Sequence, residues 1–144
     1  MNPKHVKFIA IADAIAQLSK DRSTKVGAIA IGPNGEIRAM GYNGMPRGCD
    51  DTAEARHVRP EKYLWFEHAE RNLIYNAARV GVGLEGCTII VSGLYPCMDC
   101  ARAIVQSGIR EIIAPPVHTD NRWMDMAIKS SELFKECGVI THEY

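Results

Sequence analysis

At 144 residues, with 47% hydrophobic and 24% charged side chains, the chain suits one domain with a real buried core. Its 17 basic and 17 acidic residues cancel to zero formal charge, which argues against a dedicated nucleic-acid binder and favours a small substrate. Five cysteines, an odd number, with no apolar leader before a cleavage-like site, predict reduced thiols in a cytoplasmic protein; no stretch approaches the roughly 18 apolar residues of a membrane span.

In chain order, Phe8, Ile9, Ala12, Ile15, Ala16 and Leu18 recur at helical spacing and predict a first helix over residues 6–18. Residues 26–31 and 36–42 read as two strands joined by the turn Gly32-Pro33-Asn34-Gly35, hence a hairpin. Residues 43–60, rich in Gly, Pro and charge, form a long loop of the kind that usually carries function. A second helix is expected over residues 68–79, stopped by Gly81-Val82-Gly83, then a buried strand at 88–91 and a helix at 101–106 ended by Gly108. A strand at 111–114, a helix at 124–137 closing at Gly138 and a short strand at 139–142 complete the chain. From the third strand onward strands and helices alternate, which favours parallel pairing. The expectation is a single α/β domain over residues 1–144: a three-layer α/β/α sandwich around a five-stranded mixed sheet with parallel last strands.

The chemistry concentrates in His68-Ala69-Glu70 and Pro96-Cys97-Met98-Asp99-Cys100. One imidazole and two thiolates form a known catalytic zinc set, three protein ligands with one position open. His68, Cys97 and Cys100 are the proposed ligands. Residues two apart in a helix interior face opposite ways, so His68 and Glu70 can share a site only where the chain enters a helix. Pro96-Cys97 likewise suits a helix start. Two helix N-termini at one sheet edge would place positive dipole ends beside the thiolates. Zinc lowers the pKa of a water ligand towards roughly 7, and a neighbouring carboxylate that is not a ligand can move the proton; Glu70 is the candidate. A lone Cys-x-x-Cys could be a thioredoxin-like dithiol, but the upstream His-x-Glu favours a metal. A closed structural zinc in a non-catalytic binding protein would need a fourth ligand, and none stands at convincing spacing.

His-x-Glu with Pro-Cys-x-x-Cys resembles the signature of the zinc-dependent nucleoside and nucleotide deaminases. Residues 19–28 (Ser-Lys-Asp-Arg-Ser-Thr-Lys-Val-Gly-Ala), residues 41–48 (Gly-Tyr-Asn-Gly-Met-Pro-Arg-Gly) and residues 97–109 look like its deoxycytidylate (dCMP) deaminase branch. The transfer-RNA adenosine deaminases are similar around the zinc but usually carry Glu before the Pro-Cys and Cys-Ala-Gly after it; here Tyr95 and Cys100-Ala101-Arg102 stand instead. The resemblance implies a cytidine-deaminase-like fold, a Zn2+ cofactor, and hydrolysis of dCMP to dUMP and ammonia, feeding dTMP synthesis. The alternative substrates are dCTP, a modified dCMP and cytidine.

The resemblance also implies that Glu70 protonates ring N3 and then the leaving amine, that the backbone at Ala69 faces the base, and that Asn43 contacts the sugar. The 5′-phosphate is expected on Ser19, Lys20 and Arg22, with Arg47 a weaker choice. Family members are often homo-oligomers regulated by dCTP and dTTP, with residues 44–48 near the regulatory nucleotide. Cys49 and His57 are too little for a second zinc. His5, His118 and His142 are expected at the surface, Cys87 and Cys137 in apolar packing. Trp123, Met124, Met126, Leu133 and Phe134, spaced as an amphipathic helix, are expected in the core or a subunit contact.

Overall fold

The computed structural model describes residues 3–117 and 123–144; His118 lies outside them. Helix α1 spans Pro3–Ala16, strands β1 and β2 span Gly27–Ile31 and Ile37–Tyr42, and a 3-10 turn spans Glu54–His57. Helices α2 (Lys62–Trp65) and α3 (Ala69–Val80) precede β3 (Thr88–Ser92), α4 (Met98–Gln106), β4 (Glu111–Ala114), α5 (Met124–Glu136) and β5 (Ile140–Glu143). The sheet order is β2-β1-β3-β4-β5, antiparallel on both sides of β1 and parallel from β3 onward. This is the expected five-stranded mixed sheet. Among the described residues no helix is long and apolar enough to cross a membrane.

Alternation along the central strands sorts two cores. Ala28, Ala30, Ile89, Val91 and Ile112 face Leu73 and Ala77 of α3, Ala101 and Ile104 of α4, and Phe134 of α5. Ile29, Ile31, Ile90 and Ile113 face the other way, against Ala12 with Phe8, Ile9 and Ile15 of α1. Because both faces are covered, β1 and most of β3 are buried along their length and read as continuous apolar runs. Each fully buried Ile or Leu contributes about 1.5–3 kcal/mol. The side chains on the α3 face of β1 are small, and the adjoining β2 carries Gly41, where a Cβ would collide with the Ala69 carbonyl and the Leu73 amide. Only glycine admits α3 so close to the edge strand. Asn72 and Asn76 of α3 then donate side-chain hydrogen bonds to the outward carbonyls of Tyr42 (2.8 Å) and Met40 (2.7 Å).

The structure moves several expected boundaries. α1 ends at Ala16, because the amides of Gln17, Leu18 and Ser19 bond to the carbonyls three residues back and tighten the chain into a turn. α4 begins at Met98 rather than residue 101, because the Ala101 amide already bonds to the Cys97 carbonyl at 2.9 Å. The 43–60 segment contains the 3-10 turn and leads into α2, too short for any periodic signal. A two-way backbone bridge between Gly44 and Glu67 (3.0 and 2.8 Å) ties the start of this segment to the residues before α3. Cys87 is fully buried, but Cys137 is exposed, since α5 stops at Glu136 and the next residue turns to solvent. His5 and His142 are half-buried, and His142 Nε2 lies 2.9 Å from Glu111 Oε1.

Gly41→Ala is expected to lower stability by about 1–3 kcal/mol through overpacking against α3, read as a reduced thermal midpoint. An unchanged midpoint would show that α3 is free to shift away from β2.

Candidate active site

His68 and Cys97 occupy equivalent places in the fold. Each is the last extended residue before a helix, with φ −83°, ψ 154° at His68 and φ −74°, ψ 171° at Cys97. Neither side chain caps its own helix, so both are free to turn towards each other. The register Gly27↔Tyr42 and Gly27↔Ser92 puts the carboxyl ends of β2 and β3 on one edge, and the chain leaves that edge towards both caps. Cys100 follows one turn into α4 and is fully buried. His68 Nδ1, Cys97 Sγ and Cys100 Sγ all lie within 4.8 Å of one another, and Nδ1 is 3.4 and 3.5 Å from the two sulfurs. A tetrahedral zinc with bonds of about 2.0–2.1 Å to nitrogen and 2.3 Å to sulfur separates such atoms by about 3.5 Å, so the donors fit that ion.

The charges follow from burial and proximity. The Cys100 thiol's hydrogen bond, assisted by His68 and opposed by burial, draws the Cys97 thiol down to about 4. Cys100 is pushed well up, because it is the donor to Cys97 and is buried. His68 is raised, chiefly by its bond to Cys97. A metal must displace the protons these groups hold in order to engage all three as ligands. Burial pushes the Glu70 carboxyl up as well, although the His68 charge opposes it. Glu70 is 3% exposed and lines the same cavity, while its carboxylate stands outside the ligand triangle.

Arg71 was not singled out by sequence reasoning. Its guanidinium bonds to Glu67 and reaches Cys100 Sγ at 3.8 Å. Burial works against its charge, but the Cys100 sulfur and Glu67 outweigh it and hold the group protonated. A cation in the first turn of a helix opposes the macrodipole, and that misfit was the available signal.

The cavity, about 940 Å3 with its open mouth, runs from this triangle past Asn43 to an aromatic rim of Tyr63, Phe66, Tyr95 and Trp123. Trp123 therefore lines the cavity rather than packing in the core, one of the two places expected for it. The start of α5 reaches over the mouth, and its ring meets Tyr63 edge-on at 5.9 Å; Leu133 and Phe134 do pack in the core. Ala69, fully buried, is also in the lining.

Asn43 is built into the wall. Its Oδ1 accepts from the Val26 amide at 2.8 Å, and its Nδ2 donates to Thr24 O at 2.9 Å and Asp21 Oδ2 at 3.2 Å. Asp21 also accepts from Lys62 Nζ at 2.8 Å. Burial alone would raise its carboxyl, but Lys62 and the Ser23 and Thr24 amides hold it below the ordinary value. Ser19 lies beneath, its hydroxyl donating to the Asn43 carbonyl at 2.7 Å. Lys20 pairs with Asp51, and Arg22 pairs doubly with Glu54 at 2.7 and 2.8 Å. Ser19, Lys20 and Arg22 do not line the cavity, whereas Arg59 and Lys62, which sequence reasoning passed over, do. Arg47 lies in a neighbouring depression and bonds to Asn76 at 2.6 Å.

A three-layer α/β/α fold whose sheet edge holds an open His-Cys-Cys triangle beside a buried glutamate defines a class of zinc-dependent hydrolytic deaminase. Residues 2–115 match the family described as the cytidine and deoxycytidylate deaminase zinc-binding region, and the chain belongs to that family, with zinc as its cofactor. It is 38% identical over 135 residues to an uncharacterised deaminase of Aliivibrio fischeri, covering 92% of this chain and 88% of that protein. It is 41% identical over 111 residues to the deoxycytidylate deaminase of Mus musculus, covering 74% of this chain and 61% of that protein. The chain thus matches less than two thirds of the mouse enzyme's length. The dCMP deaminase of the cyanophage S-TIM5, solved with dCMP and dUMP, shares the fold over 100% of this chain and 99% of its own, at a TM-score of 0.77 and 26% identity.

Cys97→Ala is expected to leave the purified protein without stoichiometric zinc by elemental analysis; a full complement would show that the ligand set is wrong. Arg71→Ala should keep the stoichiometry but weaken zinc about 10–100-fold in chelator competition, as loss of a partner to a ligand does.

Proposed function

We propose that the chain hydrolyses dCMP to dUMP and ammonia, with His68, Cys97 and Cys100 as zinc ligands and Glu70 as the proton carrier. The observation that carries the reading is a buried carboxylate in one cavity with an open metal triangle but outside its ligand set. Zinc, when bound, makes a water ionisable near neutral pH.

Glu70 would take one proton from the water as its oxygen bonds to C4 and pass it to ring N3, then take the second from the hydroxyl so formed and hand it to the amine as the C4–N bond breaks. Burial pushes its carboxyl up from the ordinary value, the direction that helps a carboxylate accept a proton and hold it for transfer. Ala69 is the first residue of α3, so its amide has no intrahelical acceptor and can donate to the base. Asn43 has spent both N–H donors and one lone pair of Oδ1 on the protein. What remains is an acceptor, which suits a sugar hydroxyl. The aromatic rim excludes water around the base and strengthens the charge interactions inside.

Regulation by dCTP or dTTP and assembly into a homo-oligomer belong to the same proposal. A second depression, lined by residues 44–48 together with Lys20 and Tyr42, supports a regulatory nucleotide there.

A panel of dCMP, dCTP, CMP, cytidine and deoxycytidine followed by ultraviolet absorbance tests the substrate, and dCMP should give the highest kcat/KM. Deoxycytidine turned over as well as dCMP would defeat the nucleotide preference. Glu70→Gln should retain zinc while losing about 10^2–10^4-fold in kcat. Turnover retained in that variant would remove the carboxylate from the proton path.

A further inference from the structure

Nearly every charge facing the cavity already has its partner. Asp21 holds Lys62 at 2.8 Å, and Glu67 holds Arg71. Lys62, 8% exposed, spends two of its three donors on Asp21 Oδ1 (2.8 Å) and Ser23 Oγ (2.7 Å). Its charge is matched, and it braces the wall behind Asn43. Arg59 is the exception. It lines the cavity while exposed at its rim, no carboxylate pairs with it among the described residues, and its guanidinium carbon lies 5.9 Å from the Tyr63 ring.

We propose that Arg59 is the specificity-determining contact for the substrate's 5′-phosphate; this rests on the reading that the chain deaminates a cytosine nucleotide. The base must reach the buried end, where Glu70 and the metal triangle lie, and Asn43, read above as the sugar contact, lines the same cavity. The phosphate is the opposite end of the nucleotide and is left at the rim, in reach of water. A phosphate carries about −1.5 to −2 charges, and an uncommitted guanidinium offers it a planar two-pronged donor set. Lys20 and Arg22, the cations expected from the sequence, each carry a carboxylate of their own outside the cavity.

The test compares Arg59→Gln, Arg59→Lys, Lys20→Gln and Arg22→Gln with the unmodified protein, on dCMP and on deoxycytidine. Arg59→Gln should raise KM for dCMP about 10-fold or more, keep kcat within about threefold, and leave kcat/KM for deoxycytidine unchanged, as loss of a charged hydrogen bond made equally in ground and transition states requires. Inorganic phosphate should inhibit the unmodified protein competitively and lose potency against Arg59→Gln. Arg59→Lys should recover part of the loss. If the unmodified protein does not turn over dCMP, the functional reading fails and takes this assignment with it. If it does, an unchanged KM in Arg59→Gln, or a selective rise in Lys20→Gln or Arg22→Gln, overturns the Arg59 assignment alone.

Discussion

The seating of α3 on the edge strand β2 is the constraint from which the rest of the site follows. Gly41 removes the side chain that would hold the helix away, so the first turn of α3 lies directly on the strand. Asn72 and Asn76 fasten it by bonding carbonyls that an edge strand would otherwise offer to solvent or another chain. His68 stands immediately before this helix and Glu70 lies in its first turn, so their positions are set by the close approach. The Gly44–Glu67 bridge then draws Asn43 alongside, joining the hairpin's exit to the metal residues.

A second theme is how the protein handles charge out of water. An isolated buried ion is costly, so buried charges come paired and hydrogen-bonded. Asp21 with Lys62, and Glu67 with Arg71, obey that rule, and Asn43 and Ser19 knit the first pair into the wall. Glu70 departs from it. Its carboxyl is buried and pushed towards the neutral form, and among the described residues no cation bonds to it, His68 acting on it only through its charge. Such a group is unfavourable for stability and useful for moving protons, which is why perturbed carboxyls gather at reactive centres. Arg71 plays the complementary part, placing fixed positive charge behind the Cys100 sulfur.

Much of this was legible without coordinates because it is local. Residues 26–31, 88–91 and 111–114 read as strands, that at 88–91 as a buried one, and the structure places β1, β3 and β4 there. The two short motifs with helix-start chemistry marked the residues that form the metal triangle. What stayed hidden depended on long-range contact. Trp123 fits an amphipathic core pattern, and only the packing of α5 against α4 turns its ring over the cavity. The Lys20 and Arg22 side chains suit a phosphate by composition, yet Asp51 and Glu54, some thirty residues on, pair with them outside the cavity.

The sequence by itself marked the α/β fold class, the three candidate donors that the structure gathers, and the glutamate beside them, because apolar patterning and helix-start spacing act within a few residues. Tertiary structure decided which charges are spent. Lys62 is committed to Asp21 across the chain, while Arg59 at the rim has no carboxylate partner among the described residues. Pairing distance is a property of the packed chain, and two cations alike in sequence differ in availability only once their neighbours are in place.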